Sequence, residues 1–156
     1  MKNKKWTTDD IPNLSGKVVI VTGANSGIGF ETVKEIARKG AHTILACRSM
    51  EKGNDAIERV RAEISNASLE TMVLDLGSLK SVHAFAETFK AEYDHLNVLI
   101  NNAGITSFSK AVDTELPKVE RIIFTNLIGA IYVTQTVLPS MIEQGSGTII
   151  NINSVV

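Results

Sequence analysis

Five short runs of β-branched and aliphatic residues alternate with four amphipathic stretches, and this alternation restricts the fold more than any other feature. Residues 17–22 (KVVIVT), 42–46, 69–74, 97–101 and 148–152 read as strands. Between the first two, Ile28, Thr32, Val33, Ile36 and Ala37 recur at helical spacing, and Gly40 stands where a helix C-cap belongs. Ala56, Ile57, Val60 and Ile64 form a second stripe; Val82, Phe85, Ala86 and Phe89 form a third. A long helix is expected over residues 114–143, with Val119, Ile122, Ile123, Ala130, Val137 and Met141 on its buried face. Strands that are apolar almost throughout, each followed by an amphipathic helix, demand a parallel sheet covered on both faces. Right-handed crossovers then predict a doubly wound α/β sheet of five strands in the order 3-2-1-4-5. Residues 1–16 are polar and read as an irregular arm; residues 17–156 read as one domain.

Charge and cysteine content remove several functional classes. Charged residues make up 21% of the chain and sum to −1, with both signs mixed, so neither a nucleic-acid surface nor an acidic tail is expected. Cys47 has no second cysteine to pair with, which fits a reducing compartment, the cytoplasm. The basic N-terminus leads into Thr7, Thr8, Asp9 and Asp10 rather than an apolar run, so no secretory signal is expected. The most apolar stretch, residues 122–138, is broken by Thr125, Asn126, Thr134, Gln135 and Thr136 and is expected not to span a bilayer. His42, His83 and His95 have no acidic or cysteine partner at ligand spacing, so no metal site is expected.

Between the first strand and the first helix lies Thr22-Gly23-Ala24-Asn25-Ser26-Gly27-Ile28-Gly29. A phosphate-binding turn needs glycines here, because the backbone must reverse sharply and no Cβ can stand between it and the anion. The helix start beyond it offers unpaired N–H groups and a positive dipole end. The alternative is a turn that only reverses the chain. A P-loop would require Gly-Lys-Ser/Thr at the helix start, and Gly29-Phe30-Glu31 is not that. A methyl-donor site would carry an acid before the glycines, where Val21 and Thr22 stand. In a Rossmann-type dinucleotide fold, the residue after strand two meets the adenosine ribose, and an acid there selects NAD. This chain has Arg48 and Ser49 instead, with no acid before Glu51, which points to the 2′-phosphate of NADP(H), with NAD(H) as the other possibility. The alternative for Arg48 is a solvated surface arginine.

At this point the sequence resembles the short-chain dehydrogenase/reductase family. Thr22-Gly23-x-x-x-Gly27-Ile28-Gly29 matches that family's cofactor turn, with Asn25 and Ser26 inside it. Asp75-Leu76 is similar to its adenine-contacting pair, and Asn101-Asn102-Ala103-Gly104 to its NNAG segment beside the cofactor. Asn126 looks like the family's helix asparagine, a member of its proton relay, and Ser154 like its catalytic serine. Residues 45–53 are most similar to retinol dehydrogenase-like, NADP(H)-using members; from Asn102 onward the chain is closer to 3-oxoacyl-reductase-like members. The resemblance implies a carbonyl or alcohol substrate.

Taken without the resemblance, the same residues carry second readings. Asp75 could equally be a turn or cap acid, Asn102 and Gly104 plain turn residues, and Ser154 an ordinary strand-end serine. Asn126 is expected on the buried face of the long helix, where its amide must find partners. The family's proton donor is a tyrosine followed four residues later by lysine, on the helix after strand five; Tyr93 and Tyr132 are followed at that spacing by Asn97 and Thr136. The chain is therefore expected to be the cofactor-binding portion, truncated before the Tyr/Lys helix, with strand five as an exposed edge prone to self-association. Three functions remain open: an NADP(H)-dependent oxidoreductase when complete, a binding module without turnover, or a nonfunctional remnant.

Overall fold

A computed structural model describes residues 5–153. Its strands are β1 (Val18–Thr22), β2 (His42–Cys47), β3 (Leu69–Val73), β4 (Val98–Asn101) and β5 (Thr148–Asn151). Its helices are α1 (Gly27–Arg38), α2 (Met50–Glu63), α3 (Leu79–Glu92), α4 (Leu116–Ile123) and α5 (Gly129–Glu143). All strand pairs are parallel and the sheet order is β3-β2-β1-β4-β5, as the alternation predicts.

β1 is buried along its whole length because its side chains serve two cores. Successive strand residues point to opposite faces. Val19 and Val21 therefore join Phe30, Val33 and Ile36 of α1 and Ala56, Ile57 and Val60 of α2 on one face. Val18 and Ile20 join Val82, Phe85 and Phe89 of α3 and Val133, Val137 and Met141 of α5 on the other. β1 pairs with β2 on one side and β4 on the other, so the strand order reverses beside it. Crevices in open α/β sheets form at that reversal, outside the carboxyl ends of the strands.

Two departures from the sequence expectations concern the helical segments. Residues 116–143 form one continuous helix, but its middle, Phe124–Ile128, is π-helical. An i→i+5 turn inserts an extra residue and changes the phase of the turns on either side. The buried line accordingly runs through Thr125, Gly129, Val133, Val137 and Met141. Val137 and Met141 fall on it as expected, whereas Ile123 is 51% exposed, α4 buries no residue, and Asn126 is exposed rather than buried. The helix is also long and apolar enough to cross a membrane by length and composition alone. Its threonines interrupt it less than their polarity suggests: Thr136 Oγ1 donates to the helix's own carbonyls at Tyr132 (3.1 Å) and Val133 (2.8 Å). Here its Val133, Val137 and Met141 side packs in the core.

Residues 5–16 pass over the core formed by α1 and α2. They make a single 3-10 turn at Thr8–Asp10 and dock by Leu14 N–H on the Lys39 carbonyl (2.8 Å), with Leu14 packed against the α1/α2 core. At the amino ends of β2 and β3, the opposite end of the strands from the crevice, Tyr93 Oη donates to Glu70 and meets His42 Nε2 at 2.7 Å; His42 Nδ1 meets Ser68 Oγ at 2.7 Å. Burial, and then the Glu70 hydrogen bond, push the Tyr93 phenol well above its ordinary range.

Candidate functional site

The crevice at the carboxyl ends of β1, β2 and β4 is a cleft of about 380 Å³. Its first wall is the turn between β1 and α1. Gly23 holds φ +64°, and a Cβ there would lie 2.8 Å from Ala103 Cα, so only glycine lets this turn touch the one after β4. A Cβ on Gly29 would stand 2.5 Å from both Asn102 Nδ2 and the Gly23 carbonyl. Gly27, at φ +57°, starts α1, and its missing Cβ would meet nothing. Ser26 is the N-cap residue of α1, but its side chain makes no cap bond. By contrast Ser49 Oγ accepts from Lys52 N–H (3.3 Å) and caps α2, and Ser78 Oγ accepts from Ser81 N–H (3.4 Å) and caps α3. First-turn amides have no intrahelical acceptor, so the opening turn of α1 presents its donors and dipole end at this corner.

Thr22 joins the two turns, a role that its place at the head of the glycine motif does not specify. Its Oγ1 accepts from the N–H groups of Asn102 and Ala103, each at 3.0 Å, and donates to the Ile100 carbonyl (3.5 Å). Asn102 Nδ2 returns the contact, donating to the Thr22 carbonyl (3.0 Å) and the Gly23 carbonyl (3.4 Å). The β1 and β4 turns thus form one hydrogen-bonded block. Cys47 closes the floor. Burial raises its thiol, opposed by the Ala24 and Asn25 backbone N–H groups, so it stays a protonated small filler.

The residues singled out by sequence divide into four groups. Gly23, Asn25, Ser26 and Ile28 line the cleft from the first turn, Arg48 from the second, Leu76 from the third, and Asn102, Ala103 and Gly104 from the fourth. Gly27, Gly29, Ser49 and Asp75 do not line it. Gly29 lies beneath the surface as the packing contact just described, and Ser49 is engaged as a helix cap. Asp75 Oδ1 accepts Gly77 N–H at 3.0 Å, the local turn bond that was its second reading. Asn126 lines a neighbouring cavity and clamps the chain after β4: its Oδ1 accepts from Ile105 N–H and its Nδ2 donates to the Ile105 carbonyl, both at 2.8 Å. Ser154 lies outside the described residues. Among the described residues no group of three or more acidic, histidine or cysteine side chains could hold a metal.

This arrangement can cradle a bulky anion: open amides at a helix start, two glycine-permitted close approaches, and an exposed guanidinium on the rim. It contains no tyrosine, since Tyr93 is held at the amino ends of β2 and β3 and Tyr132 packs against the α3/α5 core.

Known proteins carry the same fold. A metagenomic short-chain oxidoreductase in complex with NADP superposes with a TM-score of 0.86 at 30% identity, covering 92% of this chain and 65% of that one. L-sorbose reductase from Gluconobacter frateurii, complexed with NADPH and L-sorbose, gives 0.81 at 25% identity, covering 89% and 52%. Chicken WW domain-containing oxidoreductase is 48% identical over 123 residues, 79% of this chain and 29% of the relative. Human retinol dehydrogenase 11 is 43% identical over 143 residues, 90% of this chain and 44% of the relative. The chain thus spans less than half the length of these two curated relatives. The short chain dehydrogenase family model matches residues 17–156, and the chain belongs to that family.

Proposed function

We propose that residues 17–156 are the cofactor-binding portion of an NADP(H)-dependent oxidoreductase acting on a carbonyl or alcohol. The observation that carries this reading is the open N-terminus of α1 beside the interlocked Gly23, Asn102 and Ala103 turns, with Arg48 on the rim. In this reading the backbone at Gly23, Asn25, Ser26, Gly27, Ile28 and Gly29 receives the diphosphate. Arg48 pairs with the 2′-phosphate, and Ser49, whose Oγ accepts the cap bond from Lys52 N–H, keeps its own hydroxyl proton to donate to it. Leu76 covers the adenine, with Asp75 shaping the turn beneath. Asn102, Ala103 and Gly104 lie along the cofactor toward the substrate side, where Asn126 and Ser154 would act. When bound, the nicotinamide supplies or accepts the hydride. The chain's own contribution is to hold and orient the cofactor.

Binding without turnover is the second reading for this chain taken by itself. Its observation is the engagement of Tyr93 and Tyr132 away from the cleft, which leaves no tyrosine to supply a proton there. NADPH fluorescence titration followed by oxidation with a panel of carbonyl compounds separates the two. Binding with turnover supports a working enzyme, binding alone supports the module, and no binding refutes both. We also propose self-association through Leu116, Ile123, Leu127, Ile131 and Ile142, a large exposed apolar stripe along α4 and α5; a monodisperse monomer in light scattering would count against it. A cytoplasmic location is the setting that the lone, buried Cys47 favours.

A further inference from the structure

Ser68 and His42 stand side by side at the amino ends of β3 and β2, at the far end of the strands from the cofactor cleft. Parallel pairing sets them there: Thr43 is the register partner of Leu69, and Thr43 N–H donates to the Ser68 carbonyl at 2.9 Å. His42 N–H donates to the Lys17 carbonyl, also at 2.9 Å, so both backbones are pinned. Between the side chains, Ser68 Oγ lies 2.7 Å from His42 Nδ1.

The other side of the imidazole decides where the proton of that contact sits. Tyr93 Oη gives its one hydrogen to Glu70 Oε2. Its oxygen, 2.7 Å from His42 Nε2, is then left only to accept, so Nε2 carries the ring proton. Nδ1 of the neutral ring is the bare acceptor, and the Ser68 hydroxyl donates to it. Stacking holds the phenol in place, with ring centroids 5.4 Å from His42 and 5.1 Å from Phe89 of α3. Hydrogen bonds thus run in one direction, from Ser68 through His42 and Tyr93 to the Glu70 carboxylate. A hydroxyl bonded to a base whose second nitrogen is oriented by a third group is the arrangement that activates a serine. The hydroxyl end is reachable: Ser68 is exposed, and 28% of the His42 side chain is open to solvent.

We propose that Ser68 is an acylation site, taking the acyl group of small activated esters or thioesters with His42 as its base. Ser68 Oγ bonds to the acyl carbon while the bond from that carbon to the leaving oxygen or sulfur breaks. The serine proton passes to His42 Nδ1 and from there to the leaving group, so the imidazole ends neutral. Between those transfers the charged ring faces Glu70, whose Oε2 lies 3.8 Å from Nε2. The cluster lies outside the cofactor site, so the proposal stands whether or not NADPH binds.

The test treats the full chain with p-nitrophenyl acetate and follows each serine by peptide mass spectrometry. Ser65, exposed in the same connection between α2 and β3, is the internal comparison. A positioned general base contributes about 10²–10⁴-fold, so an acetyl group should form on Ser68 at least about 10-fold faster than on Ser65. His42→Gln should remove that lead. Tyr93 is a positioning residue, and Tyr93→Phe takes away the acceptor for Nε2–H. Ser68 acetylation should slow severalfold in that variant while Ser65 acetylation stays the same. Equal labelling of Ser65 and Ser68 in the unaltered chain overturns the proposal, whether or not the variants fold. An unchanged Ser68 rate in a folded His42→Gln or Tyr93→Phe chain overturns it as well.

Discussion

Gly29→Ala tests the packing on which the cleft depends. The added Cβ would stand 2.5 Å from Asn102 Nδ2, 2.5 Å from the Gly23 carbonyl and 3.1 Å from Ala24 Cα. Two of these neighbours are backbone and cannot swing aside, so Asn102 must yield. Its Nδ2 would then lose the bonds to the Thr22 and Gly23 carbonyls. Each is worth about 0.5–1.5 kcal/mol, and forcing a methyl into a packed site costs about 1–3 kcal/mol. A loss of about 2–4 kcal/mol is expected from these terms after partial relaxation. With m at about 2 kcal/mol per molar urea for a small domain, the midpoint should fall by roughly 1–2 M without a change in slope. Urea unfolding followed by circular dichroism measures this, and NADPH affinity should fall with it because Asn102 forms a cleft wall. Gly104→Ala is the control: its Cβ would meet nothing closer than Asn126 Oδ1 at 3.7 Å, and stability should hold within about 0.5 kcal/mol. A Gly29→Ala midpoint equal to wild type would refute the reasoning, since the two turns could then separate at no cost.

Three other outcomes are expected. Arg48→Ala should weaken NADPH binding roughly 10–100-fold, the worth of one or two charge-assisted hydrogen bonds, while leaving NADH binding unchanged; equal losses for both cofactors would remove Arg48 from the 2′-phosphate. Gly129→Ala would place a Cβ 2.6 Å from the Leu76 carbonyl and 2.7 Å from Leu76 Cβ, so thermal unfolding should show a destabilisation of about 1–3 kcal/mol despite alanine's better helix propensity. Tyr93 is held protonated in the fold, so an unfolded chain, whose tyrosines ionise near 10, binds fewer protons in alkali. Stability from this group is complete below that range and lost as pH rises above it; Tyr93→Phe should flatten the alkaline limb of a stability–pH curve, and an unaltered limb would contradict this.

The sheet was legible because its information is local and repeated. Each strand is a short apolar run, each helix carries a 3.6-residue stripe, and right-handed crossovers leave few orders to choose among. The glycine turn was legible by its place between a strand and a helix, but the packing reason for Gly23 and Gly29, a Cβ that would collide with Ala103 or Asn102, was not, because it depends on a turn about eighty residues away. The helix phase was not legible. A single π turn at Phe124–Ile128 leaves no compositional mark, yet it shifts the buried line onto Thr125 and Gly129 and turns Asn126 outward. Asp75 was ambiguous for a different reason: an acid before a helix serves a turn, a cap or a ligand with the same chemistry, and here it makes the turn bond, while the cap made by Ser49 was not read from the sequence. Thr22 and Asn101 stood inside the motifs, but their side-chain roles were not legible, because each depends on a long-range partner, 80 residues away for Thr22.

The account depends most on a dinucleotide occupying the corner where α1 begins. A crystal structure of this chain soaked in NADPH tests that directly. The diphosphate should lie against the backbone amides of residues 26–29, with the 2′-phosphate beside Arg48. Cofactor density elsewhere, or a cleft that stays empty at saturating NADPH, would contradict it.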